Sequence, residues 1–261
     1  MKHDFFVRKR KETLIFLAVS IIITIGTMIL VNYNPVKGFA SISKAAVWGV
    51  SNFYPDAKSM DKLPNLILKL RDTILSSIAA TITASVFALF MSVAGSKTTR
   101  VNNIFFVLSR GIASMFRNIP LVAWAMILML AFSQSPLTGY LALFCGSFGF
   151  LTRAFMESID EVSKDSVEAL KAAGASYFQT IFQAVLPSCM PQMISWLMYM
   201  IETNIRDATL VGILTGTGIG FAFELYYNSL KYHIASLVVL LVVITVITIE
   251  FISNYIRRVI L

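Results

Sequence analysis

The sequence predicts an all-α, polytopic membrane protein with about six transmembrane helices. Three observations carry that expectation. Of 261 residues, 57% are hydrophobic and only 14% charged, with a mean hydropathy of +0.74, whereas soluble domains are about a quarter charged. Uncharged apolar runs recur at close to the ~20 residues that a spanning helix needs. The basic residues gather at the ends of those runs, so the net charge of +8 reads as a topology signal and not as a nucleic-acid surface.

Residues 1–12 form a basic N-terminus containing Arg8-Lys9-Arg10-Lys11. The run that follows, 13–33, holds no charge and ends Val31-Asn32-Tyr33. It is longer than the apolar region of a cleavable signal and lacks small residues at its end, so it reads as a retained anchor. Residues 34–72 form an outer loop. Within it KLPNLILKLR, 62–71, has Leu63, Leu66, Ile67 and Leu70 at helical spacing and is expected along the interface.

The remaining core, 73–256, opens with an uncharged run at 73–95. Residues 103–116 are apolar but include Arg110, and a charge in mid-bilayer is costly, so a surface amphipathic helix is expected there. It leads to a span at 119–133 whose Pro120 suits a first helical turn. Further spans are expected at 137–152, 186–201 and 234–249, followed by a tail at 257–261. With both termini in the cytoplasm, the inner pieces hold 14 Lys and Arg and the outer pieces 8, the expected bias. Cys145 and Cys189 have no ligand spacing and read as small core hydrophobes. His3 and His233 are too isolated for a zinc site, so no metal, cofactor or catalytic set is expected.

One stretch differs from all the rest. SVEALKAAGASYFQTIFQAVLP, 166–187, is amphipathic, faces the cytoplasm on this topology and carries explicit local signals. Asp165 with Glu168 fits a capping box. Gly174 stands where a left-handed residue would end the helix. Ser176 with Gln179 repeats the cap, and a second helix feeds through Leu186-Pro187 into the fifth span. A hairpin this short is marginal alone, so either the chain's own helices or a partner's groove covers its Leu170 face.

The spacing Glu168-Ala169-Leu170, three residues, Gly174, nine residues, Ala184, one residue, Leu186-Pro187 resembles the EAA signature of permease subunits of type I ABC importers. Leu170 and Ala184 depart from it, standing where the signature has Ala and Ile. Arg117-Asn118-Ile119-Pro120 with Trp124, and ETNIRDAT at 202–209 with Gly212 and Gly218-Ile219-Gly220, are similar to phosphonate-transporter permeases in particular. The resemblance covers about 70–256. It implies that the hairpin is a coupling helix, with Glu168, Ala169, Leu170, Gly174, Leu186 and Pro187 meeting a cytoplasmic ATPase subunit. It further implies two ATPase subunits, a second permease copy, identical or sister, an extracytoplasmic binding protein and a small anionic solute. Methionine or a sulfonate would suit the same fold, and a secondary transporter or channel is the rival of another class.

The chain has no P-loop of its own. Gly216-Thr217-Gly218-Ile219-Gly220 lacks the context of a nucleotide site and reads as a tight turn or re-entrant break in an outer loop, with Thr215 and Thr217 where the family has glycine. Glu157, Asp160, Glu161, Asp165 and Glu168 read as a solvated rim or as a partner for a basic docking surface. Glu202 and Arg206 stand at i, i+4 at the end of the fifth span. Either the pair neutralises itself, or Arg206 with Asn204, Thr215 and Thr217 lines the outer mouth of the pathway, where a guanidinium suits an anionic phosphonate. Arg117 is a second pathway candidate, at the inner end. His233 and Glu250 are expected at the interfaces.

Overall fold

The computed structural model describes residues 2–162 and 164–260, and every regular element among them is helical. The chain divides into two compact units, Met1–Tyr54 and Pro55–Leu261.

In the first unit, α1 (Lys2–Leu30) contains the anchor and ends at Asn32, whose φ is 53°. A second helix, α2 (Pro35–Asn52), occupies ground that the sequence reading leaves as loop. Its start was visible: the Asn34 side chain accepts from the Lys37 N–H at 3.1 Å, and Pro35 follows in the first turn, the ordinary chemistry of a helix N-terminus.

The second unit begins with the single turn α3 (Ala57–Met60), capped by Asp56, and α4 (Leu63–Gly95). The expected interfacial helix at 62–71 is therefore not separate. Pro64 starts α4, nothing between 71 and 73 breaks a helix, and KLPNLILKLR forms the first turns of the span. Next come α5 (Asn103–Asn118) and α6 (Leu121–Phe132), bent by 94°. The bend lies at Ile119-Pro120, since the residue before proline is driven out of the helical region, and Ile119 has φ −86° and ψ 120°. Alone, α6 reaches ~18 Å, too short for a ~30 Å hydrocarbon core. Among the described residues five helices are long and apolar enough to cross a membrane, or six if the bent pair is one broken span.

The spans also outrun their apolar runs. α7 covers Pro136–Val162, and the chain from Tyr177 to Thr215 is helical throughout, so 202–215 is helix where an outer loop was expected. α11 (Gly218–Asn228) and α12 (Tyr232–Ile260) complete the unit. α4 presents a stripe of small buried residues, Ser77, Ala80, Thr81, Ala84, Ala88, Ser92 and Gly95, which lets α7 lie close along it. Against that seam a core forms from Phe148, Leu151, Phe155, Ile159, Val185, Cys189 and Met193. Cys145 and Cys189 are both buried, as expected of small core hydrophobes.

Gly149 in α7 fixes where the α5–α6 elbow rests. A Cβ there would stand 2.5 Å from the Arg117 backbone nitrogen and 2.7 Å from the Phe116 carbonyl carbon.

Candidate functional site

The hairpin is α8 (Lys164–Ala172), an elbow, and α9 (Tyr177–Thr180) running into α10 (Leu186–Thr215) through a π-helical turn, Ile181–Val185. Asp165 lies inside the first turn of α8 instead of capping it, which corrects the first capping box; the preceding position, 163, is outside the described residues. The elbow is as expected. Gly174 has φ +82°, its N–H donates to the Lys171 carbonyl at 3.0 Å, and the Ala175 N–H donates to the Leu170 carbonyl at 3.0 Å. That pair of bonds is a Schellman turn, open to a residue without Cβ strain. Both halves of the Ser176–Gln179 capping box form.

The π turn has a local cause. Pro187 has no N–H for the Gln183 carbonyl and its ring crowds that oxygen, so the chain widens, and the Leu186 N–H donates to Ile181 five residues back. Leu186-Pro187 thus sets the angle at which the hairpin joins α10.

The signature residues divide by exposure. Glu168, Ala169, Gly174 and Pro187 face outward, and so do Phe178 at 70% and Phe182 at 64%. Leu170 packs from the edge onto the core that contains Val167 and Ala184. The two departures from the signature therefore lie on the chain's own core and not on the outward face.

Asp160 corrects the solvated-rim reading. One carboxylate oxygen accepts from Ser96 Oγ at 2.6 Å and from the Lys97 and Thr98 N–H groups at 2.7 and 3.1 Å. The other accepts from Arg110 Nη2 at 3.2 Å, while Arg110 Nε donates to the Gly95 carbonyl. Asp160 so ties the α4–α5 turn to the end of α7. The hairpin joins the same turn, because Tyr177 donates to the Thr99 carbonyl at 3.0 Å. Lys97, Thr98, Asp160, Glu168 and Lys171 line a cleft of about 500 Å³ beside it.

The expected pathway residues fall at two levels of α10. Asn204 is 1% exposed and donates to Thr81 Oγ1 at 2.7 Å and Ser147 Oγ at 2.5 Å. Thr81 and Ser147 lie near the middles of α4 and α7, so Asn204 joins α10 to the middles of both helices. Glu202 and Arg206 stand at that level too, within the helix and not at its end, since α10 continues to Thr215. Their expected ion pair forms at 3.2 Å, and Arg257 of α12 adds a second arm to Glu202 at 3.1 Å. No pattern around position 257 announces that partner.

Thr215 and Thr217 lie nine residues or more beyond Arg206, ~13 Å further along the helix rise. Their hydroxyls bond each other at 2.9 Å. Gly216 caps α10 with φ +68°, and α11 starts at Gly218, so the glycine segment is a tight turn between helices. Thr217 lines a cavity of about 350 Å³ with Asp72, Thr73, Ser76, Tyr140 and Gly218. Arg117 is exposed in the last turn of α5, at the elbow.

Comparison with known proteins adds the remaining findings. The family model described as binding-protein-dependent transport system inner membrane component matches residues 84–261. The phosphite transport system permease protein PtxC of Stutzerimonas stutzeri is 31% identical over 74% of this chain and 70% of its own length. The phosphate-import permease protein PhnE of Mycolicibacterium smegmatis is 30% identical over 54% of this chain, which spans only 26% of that relative. Among solved structures, the MetNI methionine ABC transporter in an inward-facing conformation has a chain with TM-score 0.67 and 19% identity, covering 75% of this chain and 96% of its own.

Proposed function

We propose a role for this chain from one premise: it belongs to the binding-protein-dependent transport system inner membrane components, the membrane-spanning permeases of type I ABC importers. In that role it forms, with a second copy or a sister subunit, the pathway for phosphonate or a related small oxyanion. Two cytoplasmic ATPase subunits dock on the hairpins, and a binding protein delivers solute to the opposite face. Both termini are cytoplasmic on this reading, which the basic-residue bias supports.

The observation that carries the proposal is the hairpin. A short, doubly stopped helical unit holds Glu168, Phe178 and Phe182 outward, and exposed aromatics beside a charge suit a partner's groove. Glu168, Ala169, Gly174, Leu186 and Pro187 are its ATPase-coupling residues on this proposal, with Leu170 shaping it from the core side. The oxyanion is favoured because two relatives are named for phosphite and phosphate import and because Arg206 stands within the spanning helix α10 with its side chain more than half exposed.

The test is reconstitution of the chain with its ATPase and binding protein in liposomes. ATP-dependent uptake of methylphosphonate or phosphite is expected, and none when the ATPase is omitted. Full-rate uptake by the chain alone would overturn the ATP-driven reading. Uptake of methionine without either oxyanion would overturn the substrate class.

A further inference from the structure

We infer that Glu202, Arg206 and Arg257 form a partner-exchange anion site, in which Arg206 leaves Glu202 to grip an oxyanion while Arg257 takes over the vacated carboxylate oxygen. The inference rests on the oxyanion reading above and names the residues that would serve it.

Each oxygen of Glu202 serves a different arginine: Oε1 accepts from Arg206 Nη2 at 3.2 Å, and Oε2 accepts from Arg257 Nη2 at 3.1 Å. The three side chains are not equally enclosed. Glu202 is 13% exposed and Arg257 27%, but Arg206 is 55% exposed. A guanidinium on a membrane-spanning helix is not left to lipid. Two residues away, Asn204 is locked between the midpoints of α4 and α7, so the orientation of this face of α10 is fixed. The open flank of Arg206 therefore faces water or a second copy, which is where a pathway between two permeases would run.

Within the trio one carboxylate serves two arginines. Asp207, the next residue along the helix, makes no ion pair among the described residues but lies close enough to Arg206 to interact with it electrostatically, so it offsets part of the trio's positive charge. Arg257 also holds a reserve: its Nε is buried and has no hydrogen-bond partner among the described residues. Nε and Nη2 lie on one edge of a guanidinium and match the two oxygens of a single carboxylate. Once Arg206 swings away, Oε1 is free to accept from that Nε, so Glu202 keeps two charge-assisted bonds throughout. Releasing the mobile arm then leaves no buried charge unpaired, and the released fork suits a tetrahedral oxyanion.

The test uses the complete transporter in proteoliposomes, with methylphosphonate as the probe and co-purification of the ATPase as the check on assembly. Arg206→Gln is expected to raise KM at least about tenfold, the loss of one charge-assisted fork, and Arg206→Lys to recover part of it. Arg257→Gln removes the stand-in, so Arg206 stays on Glu202; KM rises several-fold while kcat stays within about twofold. Adding Glu202→Gln to Arg257→Gln frees Arg206 again and lowers KM, which a merely structural triad would not do. A KM within twofold of the parent for Arg206→Gln, or no recovery in the double variant, overturns the exchange. If Arg206→Gln does not assemble, the Arg257→Gln pair of variants decides alone. A parent complex that imports no phosphorus oxyanion overturns the substrate class itself, an outcome distinguishable from failure of the exchange in a complex that does import one.

Discussion

The hairpin around Gly174 and the helix seam around Asn204 are held by different kinds of information. In the hairpin almost every stabilising bond is made within a few residues: the Schellman turn closes on Leu170 and Lys171, and the capping box joins Ser176 and Gln179. Along the seam the decisive bonds span long separations, Asn204 to Thr81 and Ser147, and Asp160 to Ser96 and Arg110. The first region is a local device fitted to the outside of the bundle, and the second is the bundle. Disturbing the seam should cost stability, whereas disturbing the hairpin should cost transmission with the bundle intact.

The sharpest way to break this comparison is Gly149→Ala. The added Cβ would meet backbone atoms of Phe116 and Arg117, which cannot turn aside as a flexible side chain can. A loss of about 3 kcal/mol is expected, a fall of roughly 6–12 °C in Tm for a chain of this size, read by thermal unfolding in detergent. A Tm within 2 °C of the parent would mean that the elbow does not rest on α7 as described. Next is Asp160→Asn, which removes the Arg110 ion pair: with the amide oxygen kept on Ser96, Lys97 and Thr98, the NH2 group faces the Arg110 guanidinium, donor against donor. The carboxylate is 23% exposed, so water offsets part of the penalty, and about 2 kcal/mol is expected. If Asp160 were a solvated rim, the same variant would leave Tm unchanged.

Gly174→Ala tests the other side. At φ +82° an added Cβ costs about 1 kcal/mol, yet among the described residues nothing lies within 4 Å to collide with it. The strain stays in a locally stable unit, so Tm should move by less than 2 °C. ATP hydrolysis by the assembled transporter should at the same time lose much of its coupling to uptake, measured as solute moved per ATP. Equal losses in Tm and coupling would erase the distinction between the two regions.

The same contrast explains what the sequence could disclose. Gly174, Ser176, Gln179 and Pro187 act on their immediate neighbours, so their roles were legible from spacing alone. The break at Pro120 was legible for the same reason. Span ends were not: α10 runs on through Glu202, Arg206 and Asp207 because hydropathy marks where a helix leaves lipid, not where its backbone hydrogen bonds stop. Glu202 and Arg206 could be paired because i, i+4 is a local rule, but Arg257 lies 55 residues away and no local rule reaches it. Asp160 looked like one acid among five, and only packing revealed which of them turned inward. The Asn34-Pro35 start of α2 was local too, and composition drew attention away from it.

The smallest expected effect concerns the two departures from the permease signature. Leu170 is larger than the signature's Ala by three carbons, and Ala184 is smaller than its Ile by three carbons. Both belong to one cluster with Val167, Phe155 and Ile159, so the exchange conserves volume within a shared core. Leu170→Ala alone should cost 1–2 kcal/mol, roughly, for a half-buried side chain, and Ala184→Ile alone about as much by overpacking. The double variant, which restores the signature at both positions, should return to within about 0.5 kcal/mol of the parent. That outcome requires a coupling energy of about 2 kcal/mol or more in a double-mutant cycle. Simple addition of the two costs would mean that the departures are independent, and that their places in one core do not compensate each other.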